Sequence, residues 1–224
     1  MHLLLLHGAL GASDQLKPLA AELQQEGYTL HTPDFPGHGE APFPDKPWSI
    51  PSFADEVLAY MDKRNIQQAS IFGYSMGGYV GMYLAGHHGE RVHRLVTLAT
   101  KFHWDPAAAL SETQKMNPKK ILEKVPTFVQ ALEQRHTQKD WKEILKRTAD
   151  LLTGLGEKPS LIPEDYPAIT TPSLLLLGDR DRMVSLEETI AAYKNLPNAQ
   201  LGVLPATPHP IEQVNTKLLA HLLR

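Results

Sequence analysis

The sequence predicts an α/β fold, a mostly parallel sheet covered by helices on both faces. Three observations carry that expectation. Short unbroken apolar runs alternate with helix-like stretches along most of the chain, the pattern of strands buried on both sides and joined by helical crossovers. One run, Ala69 to Phe72, leads through Gly73-Tyr74-Ser75-Met76-Gly77 into a helix-like stretch from Gly78 to His88, so that a G-x-S-x-G turn joins a strand to a helix. The length, 224 residues, suits one large α/β domain or two small ones and allows a substantial core.

The elements follow in order. Leu3 to Leu6 is an apolar run closed by His7-Gly8 and reads as a buried strand. A helix is expected from about Ser13, its candidate N-cap, to Gln25, with Gly27 as its stop. Tyr28 to Thr32 reads as a second strand, and Pro33 to Ser49 as a loop dense in proline and glycine. Ser52 is the expected cap of a helix to about Arg64, with Phe53, Val57, Leu58 and Met61 at helical spacing. After the 69–72 strand and the 76–88 helix come strands at 93–99, 173–177 and 200–204, with helices from about Leu186 and Ile211.

Residues 101–165 break the alternation. They contain no convincing strand but several helix-like pieces, among them 126–136 and 138–152, punctuated by Pro106, Pro118, Pro126, Pro159 and Pro163. Eleven of the 22 Lys and Arg fall here against ten acids, and their alternating sign reads as a solvated helix face. Trp141, Leu145 and Leu152 form an apolar stripe suited to packing on the core. The expected organisation is therefore a core of 1–100 and 166–224, interrupted by a helical insertion at 101–165.

Composition narrows the functional classes. A net charge of -3 supplies no basic face for nucleic acid. The absence of cysteine removes disulfides and thiolate metal sites. No His, Asp or Glu cluster has metal-ligand spacing and no glycine-rich phosphate loop is present, so neither a metal nor another cofactor is expected. Met1-His2 followed by four leucines lacks the flank and length of a signal peptide, and no run approaches the roughly 18 apolar residues of a membrane span. A cytoplasmic protein, monomeric or homodimeric, is expected, with a small-molecule partner.

The serine turn suggests the chemistry. A serine hydroxyl is a weak nucleophile and needs a base to take its proton, normally a histidine oriented by a buried carboxylate. Ser75 follows one apolar run, Gly178-Asp179-Arg180-Asp181 follows another, and His209 lies just past a third. All three thus fall at the carboxyl ends of expected strands, where open parallel sheets hold their ligands. Two backbone N–H groups are needed for the oxyanion. Met76, after the serine, and Ala9, leaving the first strand, are the candidates.

These residues carry a resemblance. Leu6-His7-Gly8-Ala9, Asp34-Phe35-Pro36-Gly37-His38-Gly39, Gly73-Tyr74-Ser75-Met76-Gly77-Gly78, Gly178-Asp179-Arg180-Asp181 and His209, in that order, resemble the α/β-hydrolase superfamily, in particular its small serine esterase-like members with a helical cap. The match covers the chain apart from the cap. It implies a three-layer fold with a helical cap insertion. Because the His-Gly turn falls at residues 7–8, one or two edge strands found in family members are missing, and about six strands are expected. The family pattern G-x-x-D-x-x-V selects Asp181 over Asp179 as the acid, leaving Asp179 to cap or to pair with Arg180 or Arg182. It assigns His7 and His38 to structural turns.

The resemblance implies a Ser75–His209–Asp181 triad, an oxyanion hole of Ala9 and Met76, and hydrolysis of small carboxylic esters. Lys101-Phe102-His103-Trp104 should open onto the pocket, with Phe102 and Trp104 as candidate substrate-binding residues. A thioesterase, a carbon–carbon bond hydrolase, or a non-hydrolytic small-ligand receptor of the same fold are the alternative readings.

Overall fold

In the computed structural model, which describes residues 1–24, 27–137 and 139–224, six strands form one sheet. They are β1 (His2–Leu6), β2 (Thr29–His31), β3 (Ala69–Tyr74), β4 (Val92–Leu98), β5 (Ser173–Gly178) and β6 (Ala199–Leu204). Their order is β2-β1-β3-β4-β5-β6 and all five pairings are parallel. The expected count of six and the parallel sheet are both found.

Strand alternation divides the core into two layers. Leu4 and Leu6 of β1 point to one face and Leu3 and Leu5 to the other; Ile71 and Phe72 of β3, and Leu175 and Leu176 of β5, split the same way. Helices α2 (Ile50–Asp62), α3 (Met76–His87) and α8 (Leu186–Asn195) cover the first face. Helices α1 (Lys17–Leu23) and α9 (Thr216–Leu223) cover the second. Side chains alternate because strand periodicity is two, so an all-apolar strand is stable only between two helical layers.

Four further helices, α4 (Pro106–Thr113), α5 (Pro118–Lys124), α6 (Pro126–Arg135) and α7 (Trp141–Glu157), lie between β4 and β5 in sequence. Prolines that read as interruptions open three of them, where a missing N–H costs no helical bond. Asp105 and Asn117 cap the first two, accepting from the N–H of Ala108 and Lys120. The expected stripe divides. Trp141 and Leu145 pack with Val129 and Leu132 of α6 in a separate small core, whereas Leu152 joins the main core beside Ile144, Leu151 and Leu155.

Several boundaries differ from expectation. Ser49, not Ser52, caps α2: its side chain accepts the Ser52 N–H while the Ser52 side chain accepts the Ser49 N–H, a reciprocal capping box with Pro51 in the first turn. Ser13 caps nothing; Ser13–Leu16 is a 3-10 turn ahead of α1. Its N–H donates instead to Asp34. The expected helix end at Gln25 lies outside the described residues. Past β6 a 3-10 turn, Ile211–Gln213, precedes α9.

The strand order places the site. From β1 the chain moves to β2 on one side, then returns to β3 on the other. Loops leaving β1 and β3 therefore diverge and open a crevice at their carboxyl ends. Residues 7–12 and Ser75 stand there.

Candidate active site

Ser75 occupies a strained turn. Its φ is 52° and ψ is -116°, a conformation that costs a non-glycine residue on the order of 1–3 kcal/mol. The Ser75 N–H donates to the Leu98 carbonyl at 2.8 Å and its own carbonyl accepts from the Thr100 hydroxyl at 3.1 Å, fixing the turn to β4. Gly73 and Gly77 are required by space. A Cβ on Gly73 would run into the backbone of Gly77 and Gly78, and one on Gly77 into the carbonyls of Leu6 and His7. Met76 is the first residue of α3, so its N–H has no intrahelical partner and lies at the positive end of the helix dipole.

His209 and Asp181 meet across the loops after β5 and β6. His209 Nδ1–H donates to Asp181 Oδ2 at 2.8 Å, and the Asp181 side chain is 1% exposed. Asp181 Oδ1 accepts from the N–H of Met183 at 2.8 Å and Val184 at 2.9 Å. Burial alone would favour the neutral acid, but the bonds from His209, Val184 and Met183 outweigh it and hold the carboxyl below the usual range. Asp181 is thus ionised at neutral pH, and it fixes the histidine tautomer that leaves Nε2 free to accept a proton.

Asp179 has a different position. It is exposed, and its Oδ1 accepts the Thr207 N–H at 3.0 Å, tying the loop before His209 to β5. Of the two expectations for it, capping or pairing, it makes no ion pair with Arg180 or Arg182 among the described residues, and accepts a backbone N–H instead. The Tyr74 hydroxyl, in the variable second position of the serine motif, donates to the His209 carbonyl at 3.1 Å and braces the same loop.

Ser75 and His209 share the wall of one cavity of about 80 Å³ with Ala9 and Met76. Its other walls come from α7 (Leu152, Leu155), α3 (Tyr79), the end of α4 (Glu112) with the residues before and after that helix (Trp104, Met116), and Lys101, Met183, Val184 and Ile50. Phe102 is not among them, which corrects the expectation. It is buried against Tyr166, its N–H donating to Glu188 and its carbonyl accepting from the Tyr166 hydroxyl. After β4, chain direction turns Lys101 and Trp104 to the cavity and Phe102 away from it. The Trp104 Nε1–H is buried and has no partner among the described residues.

Sequence reasoning missed Tyr74, Glu112, Met116 and Leu155 at or behind this cavity. None belongs to a spacing pattern, since each reaches the site through tertiary packing. Among the described residues no group of three His, Asp or Glu stands close enough to hold a metal ion. No described helix is long and apolar enough to cross a membrane.

The comparisons agree with this architecture. A family model described as the alpha/beta hydrolase fold matches residues 1–150. A Synechocystis sp. protein provisionally named a non-heme chloroperoxidase is 28% identical over 98% of this chain and 90% of its own length. A pimeloyl-[acyl-carrier protein] methyl ester esterase of Aeromonas hydrophila is 26% identical over 81% of this chain and 78% of its own. The solved structure of a thermophilic esterase from Thermogutta terrifontis superposes with a TM-score of 0.79 at 23% identity, covering 100% of this chain and 89% of that one.

Proposed function

The chain belongs to the alpha/beta hydrolase fold family, and from that premise we propose that it is a serine hydrolase cleaving small carboxylic esters through an acyl-enzyme. The observation that carries the reading is the buried Asp181–His209 pair at 2.8 Å on the same cavity as a serine held at positive φ. His209 Nε2 takes the Ser75 proton as Oγ attacks the acyl carbon. The N–H groups of Ala9 and Met76 stabilise the oxyanion, a contribution worth about 10²–10³ in rate for each donor. The protonated His209, steadied by Asp181, returns the proton to the departing alcohol. A water activated by the same imidazole then releases the acid.

The cavity supports a small acyl group. Its volume, about 80 Å³, lies well below the 300–1,000 Å³ of pockets that take drug-sized ligands, and its walls are mostly apolar. The unpartnered Trp104 N–H supports a ligand carrying an oxygen acceptor, because burying an unsatisfied donor costs about 1–3 kcal/mol. Helices α4–α7 supply part of the roof and act as a cap over a core of 1–100 and 166–224. Neither relative's printed activity carries over at 26–28% identity, although the methyl ester esterase is in keeping with this chemistry.

The test is a panel of p-nitrophenyl esters from acetyl to dodecanoyl, with acyl thioesters of the same lengths. Turnover highest for acetyl to about hexanoyl, without a rise above the critical micelle concentration, is the expected outcome. Faster turnover of the thioesters would make the protein a thioesterase. Tight binding with negligible turnover of every substrate would identify a receptor instead.

A further inference from the structure

A side chain in the segment joining α6 to α7, His136, reaches the loop after β1. His136 is fully buried, and its two ring nitrogens are both engaged. Nδ1 accepts the Gly39 N–H at 2.9 Å, and Nε2–H donates to the Leu10 carbonyl at 3.0 Å. One nitrogen accepting and the other donating defines the neutral imidazole with its proton on Nε2. Burial opposes the charged form in the same direction.

Leu10 is an unusual residue to grip. It follows Ala9 directly and sits at φ 60°, in the left-handed region that a γ-branched residue seldom adopts. Something must hold it there. The turn behind Ala9 is closed from below by Gly11 N–H on the Gly8 carbonyl at 3.1 Å, and the His7 ring donates to that same carbonyl at 2.8 Å. The Leu10 carbonyl has its side-chain contact from above, in His136. The Leu10 carbonyl and the Gly11 N–H belong to one peptide unit, and the Gly8 carbonyl and the Ala9 N–H to another, so rotation of the 10–11 peptide away from His136 would pull the Gly11 N–H off the Gly8 carbonyl and turn the 8–9 unit that carries the Ala9 N–H.

The residues flanking His136 strengthen the hold. Lys139 Nζ donates to the Gly39 carbonyl at 2.7 Å, so both polar groups of Gly39 are fixed from the α6–α7 segment. Arg135 pairs with Asp14 at 3.0 Å, just past the oxyanion loop, and with Glu212 at 3.4 Å, three residues past His209. These exposed ion pairs each contribute little, but they align α6 over the loops after β1 and β6.

We propose that His136 is a positioning residue for the oxyanion hole: it straps the Leu10 carbonyl and thereby aims the Ala9 N–H at the reacting carbonyl, linking the α6–α7 segment to the rate of acyl transfer. This rests on the serine hydrolase reading above. His136 touches no reacting atom. Its effect belongs to kcat, since oxyanion donors act on the transition state far more than on the bound ester.

Two substitutions separate the two bonds. His136→Asn keeps an acceptor near Nδ1 for Gly39 but is too short to reach Leu10. His136→Gln sets an amide N–H near the Nε2 position and keeps the Leu10 bond. Both full-length variants are assayed on p-nitrophenyl acetate, with active sites counted by end-point labelling with a fluorophosphonate, so that kcat is per competent serine. His136→Asn should lose about 10–100-fold in kcat with KM within about threefold, and His136→Gln should stay within about fivefold of the wild type. Equal losses, the reverse order, or a change confined to KM would overturn the proposal. So would failure of both variants to fold, which would make His136 a purely structural strut. A wild-type protein without Ser75-dependent turnover would instead defeat the hydrolase reading and leave the His136 geometry to be explained otherwise.

Discussion

Asp179 and Asp181 are two residues apart and chemically identical, yet their surroundings divide their work. Asp181 is 1% exposed, receives two backbone N–H bonds on one oxygen and the His209 ring on the other. Asp179 is exposed and braces the Thr207 N–H. Replacing Asp181 with Asn keeps the shape but removes the charge that fixes the histidine tautomer. The expected loss in kcat on p-nitrophenyl acetate is on the order of 10³–10⁴. Asp179→Asn keeps an acceptor for Thr207 and should cost less than about tenfold. A larger loss from Asp179→Asn would move the acid role to that residue. Asp181 was legible as the candidate acid in sequence only through its spacing from Gly178 and Val184. The bracing of the His209 loop by Tyr74 was not, because a tyrosine inside the serine motif carries no pattern that announces a partner 135 residues away.

Elements with a regular period were the readable ones. The four-leucine run of β1, the Ala69–Tyr74 run and the turn after it obey strand periodicity and glycine sterics, which act within a few residues. Gly77 illustrates the second. Gly77→Ala would drive a methyl into the Leu6 and His7 carbonyls, and overpacking of this kind costs about 1–3 kcal/mol. A fall in Tm of about 2–12 °C is expected by calorimetry. The α2 cap was misread by three residues because Ser49 and Ser52 both suit the position, and only the reciprocal bonds distinguish them. The 101–165 segment was legible as helical, and Lys101 and Trp104 line the cavity as expected, but its other cavity contacts were not legible: Met116, Leu152 and Leu155 reach the site by packing, and Phe102 turns away from it. Leu155 offers the test at this scale. Leu155→Ala would enlarge the cavity on the α7 side and should lengthen the preferred acyl chain by two or more carbons across the p-nitrophenyl ester series, with some loss of stability. An unchanged chain-length optimum would show that the acyl group does not lie against α7.

Across the whole molecule, three buried histidines gather beside the loop after β1. His7 and His38 are 5.0 Å apart between ring centroids, and His38 and His136 are 5.9 Å apart. Burial lowers the pKa of all three, that of His7 to about 4. Each is neutral in the folded chain and titrates near 6.5 when unfolded. The unfolded state therefore binds more protons below pH 6.5, so stability is fully present above that pH and falls as the pH drops towards about 4. His7 contributes up to about 1.4 kcal/mol per pH unit in that window, and His38 and His136 act in the same direction. Tm measured from pH 7.5 to 4.5 should stay nearly level down to about 6.5 and then decline, with a shallower decline for His38→Phe. A flat Tm to pH 4.5 would mean the cluster is hydrated. The central claim of the proposal is that Ser75 is the nucleophile of an ester hydrolase. The most direct measurement labels the full chain with a fluorophosphonate and follows p-nitrophenyl acetate hydrolysis in the wild type and in Ser75→Ala. Single labelling at Ser75, lost in Ser75→Ala together with about 10⁴–10⁶ of the rate, is the predicted result. Labelling or turnover that survives Ser75→Ala would contradict it.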